Sequence, residues 1–261
     1  MRRIFILFFA SFCVLFSCDS EVSSFENTKE YRIVSMSPGI TNTLISAGYG
    51  EYLVGRSPFC FNANESIPVV GDLREVDFER LINLHPTHVF VQKTESGIDS
   101  HLVELAKNGS FVLKALPMDR IHEIDLAYGE ITKTFGNKRL KLEKLLANDN
   151  SLGLSVLVVT QGAVGSAGMA FGKETYLDDV LMSIGVQNAV NKTGWISLSF
   201  EDIVRLKPDK IIVVSDSLFS KHSLEKIRTT GIPVIPFMHE DVLVPSSKII
   251  DVASQLQKVL N

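Results

Sequence analysis

Short apolar runs alternate with amphipathic stretches along most of this chain. Runs with the length and β-branched content of buried strands fall at Arg32–Ser35, Leu53–Gly55, His88–Gln92 and Phe111–Ala115, then at Ser155–Thr160, Ile211–Ser215 and Val234–Phe237. Apolar residues at helical spacing predict helices near Thr41–Ala47, Phe78–Leu84 and His101–Lys107, and again near Tyr176–Ile184, Phe200–Leu206, Ser223–Arg228 and Lys248–Leu260. Strand and helix in alternation predict an α/β fold with parallel-rich, Rossmann-like sheets flanked by helices.

The pattern also repeats. Residues Val76–Val91 match Leu198–Val213 at an offset of 122, with Phe, Glu, Leu, Pro and Val identical in the two copies. At the same offset Gly109 pairs with Gly231 and Val112 with Val234, and Leu44-x-Ser46-x-Gly48 echoes Leu181-x-Ser183-x-Gly185. Asp77 and Ser199 stand at N-cap positions, Ser199 forms a capping box with Asp202, and Pro86 and Pro208 stop their helices. Two similar lobes follow, an N-terminal one over 31–118 and a C-terminal one over 153–261. Between them residues 119–152 read as two consecutive helices broken at Gly136-Asn137, the second spanning the lobes. Two such lobes make a ligand site in the crevice where the carboxyl ends of their strands converge.

The first residues change the picture. Arg2-Arg3 and the apolar run Ile4–Phe16 make a signal peptide over 1–17, too short to cross a bilayer as a helix. Leu15-Phe16-Ser17-Cys18 resembles a lipobox, which implies that Cys18 is the lipidated first mature residue and 18–30 a polar tether; the plainer reading is an ordinary core or signal-peptide cysteine. Cys60 is then left alone, and no internal disulfide is available. The expectation is an exported chain, lipid-anchored in the bacterial cell envelope and facing the periplasm. A mild net charge of −4 implies no polyanion-binding surface, so no nucleic-acid partner is expected.

Taken together, these segments resemble the periplasmic binding proteins for cobalamin, ferric siderophores and haem, whose two lobes are joined by one rigid helix. The resemblance rests on Arg32–Pro38 with Thr41, Leu44 and Gly48, on Val69-Val-Gly71 through Glu79-Arg-Leu-Ile and Leu84-x-Pro86, and on Gly172–Leu181 followed by Gly185 and Asn188. It covers nearly all of the mature chain and implies a monomeric receptor, without catalysis or a resident cofactor. Such a receptor hands a bulky metal chelate, a cobalt corrinoid or an iron chelate, to an ABC permease dimer driven by its ATPase. Two departures stand out: the linking segment after Gly136 is short, and Ser57–Asn62 lacks the tyrosine-proline pair often found there.

Within the resemblance, Glu79 and Glu201 match the carboxylates that dock on permease arginines. Their plainer role is to favour the helix dipole, worth about 0.3–1 kcal/mol each. Trp195, the single tryptophan, sits in a Gly194-led turn and matches an aromatic that packs on a corrin or chelate face; a core role is its alternative. Loops after the first-lobe strands offer Arg56, Phe59, Phe61 and, beside Leu73, Arg74, the arginines suiting acidic groups of a guest. The second lobe offers Met169 and Phe171, then Met238, His239 and Glu240. His239 is a candidate ligand to a chelated metal, and no other histidine shows metal-binding spacing. A haem receptor of the same fold is one alternative. A secreted nucleotide-binding enzyme built on Gly162, Gly165 and Gly168 is another, against which stands the lack of a Gly-x-Gly-x-x-Gly or Walker spacing. A structural lipoprotein without a small ligand is the third.

Overall fold

Strand β1 (Ile33–Ser35) is buried at every residue, as a strand with neighbours on both edges and helices on both faces must be. In the computed structural model, which describes residues 31–94, 96–136, 152–162 and 168–260, it lies inside a four-stranded parallel sheet. The order is β2 (Leu53–Arg56), β1, β3 (His88–Gln92), β4 (Val112–Leu116), with helices α1 (Pro38–Ser46), α2 (Phe78–Asn83) and α3 (Ser100–Lys107) as crossovers.

The second sheet runs β10 (Val234–Met238), β9 (Lys210–Ser215), β5 (Ser155–Thr160), β6 (Met169–Phe171), β8 (Trp195–Ser197), with β7 (Gln187–Asn188) also on β5. Strand β6 is antiparallel to both of its neighbours, and the other pairings are parallel. Helices α5 (Tyr176–Ser183), α6 (Phe200–Leu206), α7 (Lys221–Arg228) and α8 (Ile249–Leu260) flank it. The two-sheet α/β architecture read from the alternation is therefore present. The strands missed were β6, β7 and β8, each of two or three residues; Trp195 belongs to edge strand β8 rather than to a turn.

The duplication is visible in the backbone. Asp77 accepts the N–H of Arg80 at the start of α2, and Ser199 closes a capping box with Asp202 at the start of α6. Past each helix, the residue before the proline takes a left-handed conformation: His85 has φ 46° and Lys207, 122 positions on, has φ 49°. Such a conformation is uncommon for a residue with a Cβ. Its recurrence at matched positions marks one turn built twice.

Helix α4 (Ile121–Phe135) opens the linking segment; the second linking helix, expected after the break at Gly136-Asn137, falls on residues 137–151, which lie outside the described ones. Ile121, Ile124, Ala127, Tyr128 and Ile131 repeat every three or four residues and are buried, giving α4 one apolar face. That face joins one core cluster with Ile33, Ile40 and Leu44 of the first lobe and Tyr176, Leu177 and Val180 of the second. Burying each larger aliphatic there is worth about 1.5–3 kcal/mol. The start of α4 is fixed to α5: Asp179 accepts from Arg120 Nε and from the Ile121 N–H, both at 2.9 Å. The Asp179 hydrogen bond is the main reason the Arg120 guanidinium is held charged beyond its already high value.

Helix α1 meets the second lobe through the loop after β10. A Cβ on Gly39 would stand 2.1 Å from the carbonyl oxygen of Pro245, so only glycine permits this approach. One turn on, Asn42 donates to Asp241 at 3.0 Å, and Thr43 Oγ1 accepts from the Ser247 N–H at 3.3 Å.

Candidate functional site

In a parallel sheet the loops that carry chemistry leave the carboxyl ends of the strands, and there both lobes expose several large apolar side chains. Phe59 and Phe61 follow β2. Leu73 lies over a small cavity lined by Met36 and Gln92, which stand at the ends of β1 and β3. In the second lobe Met169 begins β6 beside the end of β5, Leu218 follows β9, and Met238 ends β10. Contact with water is unfavourable for all of these groups, and their exposure in both lobes means that an apolar partner would be favourably received.

The loop bearing Phe59 and Phe61 is tied down from beneath. Arg56 gives its guanidinium to the carbonyls of Ile67 (3.1 Å), Ser57 (3.3 Å) and Glu65 (3.4 Å), so it holds the loop rather than reaching for an acidic guest. Cys60 is buried with a free thiol, its Sγ 3.0 Å from Thr41 Oγ1. Arg74 is exposed, and among the described residues its backbone N–H is engaged by Asp72 in the turn.

Phe171 is fully buried and cannot touch a guest. Instead it supports Trp195, with ring centroids 4.1 Å apart; the Tyr176 ring stands 6.5 Å from Trp195. Trp195 keeps 47% of its surface exposed against this rigid backing. Burial raises the Tyr176 phenol above its ordinary pKa, and its hydroxyl donates to the Val242 carbonyl.

His239 and Glu240 stand in a polar groove of about 350 Å³ with Lys248 and the outer face of α8. His239 Nδ1 accepts the Asp241 N–H at 3.1 Å. The neutral ring must then carry its proton on Nε2, leaving no free lone pair for a metal. With this bond in place His239 presents a donor at Nε2, and coordinating a chelated metal there would require the ring to shift its proton. Among the described residues no group of three or more His, Cys, Asp or Glu could hold a bare ion.

Glu79 and Glu201 are each the second residue of their helix, exposed and without an ion pair among the described residues. Their cationic neighbours are engaged elsewhere: Arg80 with Asp77 at 3.5 Å and Arg205 with Asp202 at 3.2 Å. One turn further, Ile82 and Val204 are both half-exposed and are themselves matched across the repeat.

Reading the sequence missed Leu218, whose signal was the apolar pair Leu218-Phe219 between Ser217 and Ser220 in the loop after β9. It also missed Asn42 and Asp241, which sequence places 199 residues apart. A depression of about 750 Å³ lies at the opposite ends of β3 and β4, lined by Pro86, Thr87, Phe111 and Val112. It is shallow and has no convergent polar groups, so the aromatic set is the better candidate. Cys18 lies outside the described residues, and no described helix is long and apolar enough to cross a membrane.

No family model matches the chain. It is 25% identical over 208 residues to the "Uncharacterized ABC transporter substrate-binding lipoprotein YvrC" of Bacillus subtilis (strain 168), a match that takes in 69% of this chain and 62% of that relative's length. Among solved structures it resembles the periplasmic haem-binding protein RhuT of Roseiflexus sp. RS-1 (20% identity, TM-score 0.69, 88% of this chain and 97% of that one). It also resembles the periplasmic haem-binding protein HutB of Vibrio cholerae (17%, 0.70, 88% and 99%). The periplasmic vitamin B12-binding protein BtuF of Vibrio cholerae aligns over the same share of this chain and 96% of its own, at 14% identity and TM-score 0.60. Two helix-flanked, parallel-rich sheets bridged by α4 and superposable on these structures over nearly nine-tenths of the chain are the fold of the class III periplasmic binding proteins, and this chain has that fold.

Proposed function

We propose that this chain is a substrate-binding lipoprotein of an ABC importer, anchored outside the cytoplasm through Cys18. It captures a bulky metal chelate, cobalamin or a ferric siderophore, between its lobes and delivers it without chemistry to the permease. The observation that carries this reading is the exposed apolar set at the carboxyl ends of both sheets, Phe59, Phe61 and Leu73 on one and Met169, Leu218 and Met238 on the other. A flat or globular chelate offers each lobe an apolar face, and Trp195 on its Phe171 backing adds rigid aromatic surface on edge strand β8. Haem is the second reading, favoured by the haem-binding proteins among the structural neighbours. Against it, Tyr128 and Tyr176 are buried and Tyr31, Tyr49 and Tyr52 pack in one aromatic cluster, mostly with Phe135, so no phenolate is offered to iron.

Glu79 with Ile82 and Glu201 with Val204 support delivery to a two-fold partner. Each lobe offers an unpaired carboxylate and, one turn along, an apolar side chain, which suits a permease dimer presenting the same cationic socket twice. Charge reversal at both sites (E79K with E201K) tests this. The expected result is unchanged chelate affinity with uptake abolished in cells; undiminished uptake would refute the docking role.

A further inference from the structure

We infer that Asn42 and Asp241 form a latch that fixes the spacing of the two half-sites before any guest arrives; this rests on the reading that the guest binds between the lobes. The latch is a short chain of hydrogen bonds crossing from lobe to lobe. Asn62, in the loop that carries Phe59 and Phe61, donates from Nδ2 to Asn42 Oδ1 at 3.2 Å. Asn42 Nδ2 donates in turn to Asp241 Oδ1 at 3.0 Å. On the far side Asp241 Oδ2 lies 3.7 Å from Lys248 Nζ, and the Asp241 N–H is received by His239, the residue after Met238.

The chemistry leaves Asn42 one orientation. A carboxylate only accepts, so the Asn42 amide must turn its NH₂ toward Asp241 and its carbonyl toward Asn62. Both latch residues are almost dry, 4% and 2% exposed, so water does not compete for either group and losing one strands the other. The neighbouring contacts are equally close: Gly39 lies against the Pro245 carbonyl and Thr43 binds the Ser247 N–H. The linking segment is therefore not the sole restraint on the lobes. Asn42 sits where one side chain senses the aromatic loop of the first lobe and the β10 loop of the second, which makes it a positioning residue for both halves of the crevice.

The test is an exchange of the pair in the full chain. Asn42→Asp sets a second carboxylate against buried Asp241 and removes the donor. The double variant N42D/D241N rebuilds the pair in reverse: the amide, now at position 241, donates to the carboxylate at position 42, which still accepts from Asn62. Spin labels at Glu104→Cys on α3 and Glu225→Cys on α7, both exposed, report the distance between lobes by pulsed electron resonance.

The latch predicts a narrow distribution in the parent, a broadened or shifted one in N42D, and a narrow one again in the exchanged pair. Affinity for whichever of cobalamin, haem or a ferric siderophore the parent binds should fall about tenfold in N42D and return in the exchanged pair, as expected of directly coupled residues. If N42D does not fold, Asn42→Ala carries the same expectation. A variant that melts earlier yet keeps the parent distance and affinity would show a structural contact only and overturn the latch. A parent that binds none of the three chelates sinks the capture reading instead, while the distance measurement still judges the latch.

Discussion

Replacing Asp179 by Ala should loosen the seam between α4 and α5 by a measurable and bounded amount. Asp179 accepts from Arg120 through two guanidinium nitrogens and from the backbone N–H of Ile121, so it joins the first turn of α4 to the second lobe. The side chains are 12% exposed for Asp179 and 28% for Arg120, which places the pair between a surface ion pair and a buried one. Hydrogen bonds to charged groups contribute about 1.5–3 kcal/mol, and Arg120 can recover part of this by turning its exposed edge to water. A net loss of about 2 kcal/mol follows, which for a domain of this size lowers the melting temperature by roughly 4–8 °C. Circular dichroism melts of the parent and the variant at neutral pH measure it. An unchanged melting temperature would mean that the pair contributes nothing and that apolar packing along α4 alone holds the seam.

Phe61→Ala should weaken chelate binding while leaving stability within about 0.5 kcal/mol, because the ring is mostly exposed and packs on little else; calorimetry and a melt on the same sample separate the two. The Asp202 carboxyl is held below its ordinary pKa chiefly by the Ser199 hydroxyl, then by the Ser199 N–H, with a smaller contribution from the Arg205 charge. Its cap on α6 is then complete above the ordinary carboxylate range and lost as pH falls through the lowered value. Hydrogen exchange at the first turn of α6 should accelerate only in acid, and D202N should remove that dependence. Glu130, drawn down mainly by its hydrogen bond to Lys114, follows the same sign, weakened by solvent. K114A should flatten the acid limb of the melting curve slightly.

Much of the fold was legible because it is written twice. A strand, a capped helix and a proline stop recur at one offset, and β3, β5 and α6 fall where the apolar periods put them. Strands β6 to β8 were not legible, since two or three residues cannot establish a period of two; Trp195 was read as a turn for that reason. The site was half legible. Aromatic residues in loops after strands pointed to the exposed set, but composition cannot tell an arginine that faces a guest from one, like Arg56, that binds its own loop. Nor does it separate Phe171, which supports, from Trp195, which is supported. Asn42 and Asp241 were silent because polar residues on a helix and in a loop read as solvated until the fold brings them together.

An apolar chelate gripped where the carboxyl ends of both sheets expose Phe61, Met169, Leu218 and their neighbours is the reading everything else rests on, with Trp195 of edge strand β8 as the reporter. Titrating the detergent-solubilised full chain with cobalamin, haem and a set of ferric siderophores, while following heat and Trp195 fluorescence together, tests it most directly. The expected result is one-to-one binding of at least one chelate, with quenching that saturates alongside the heat. No binding across the set, or binding that leaves the tryptophan silent and is insensitive to Phe61→Ala, would contradict it.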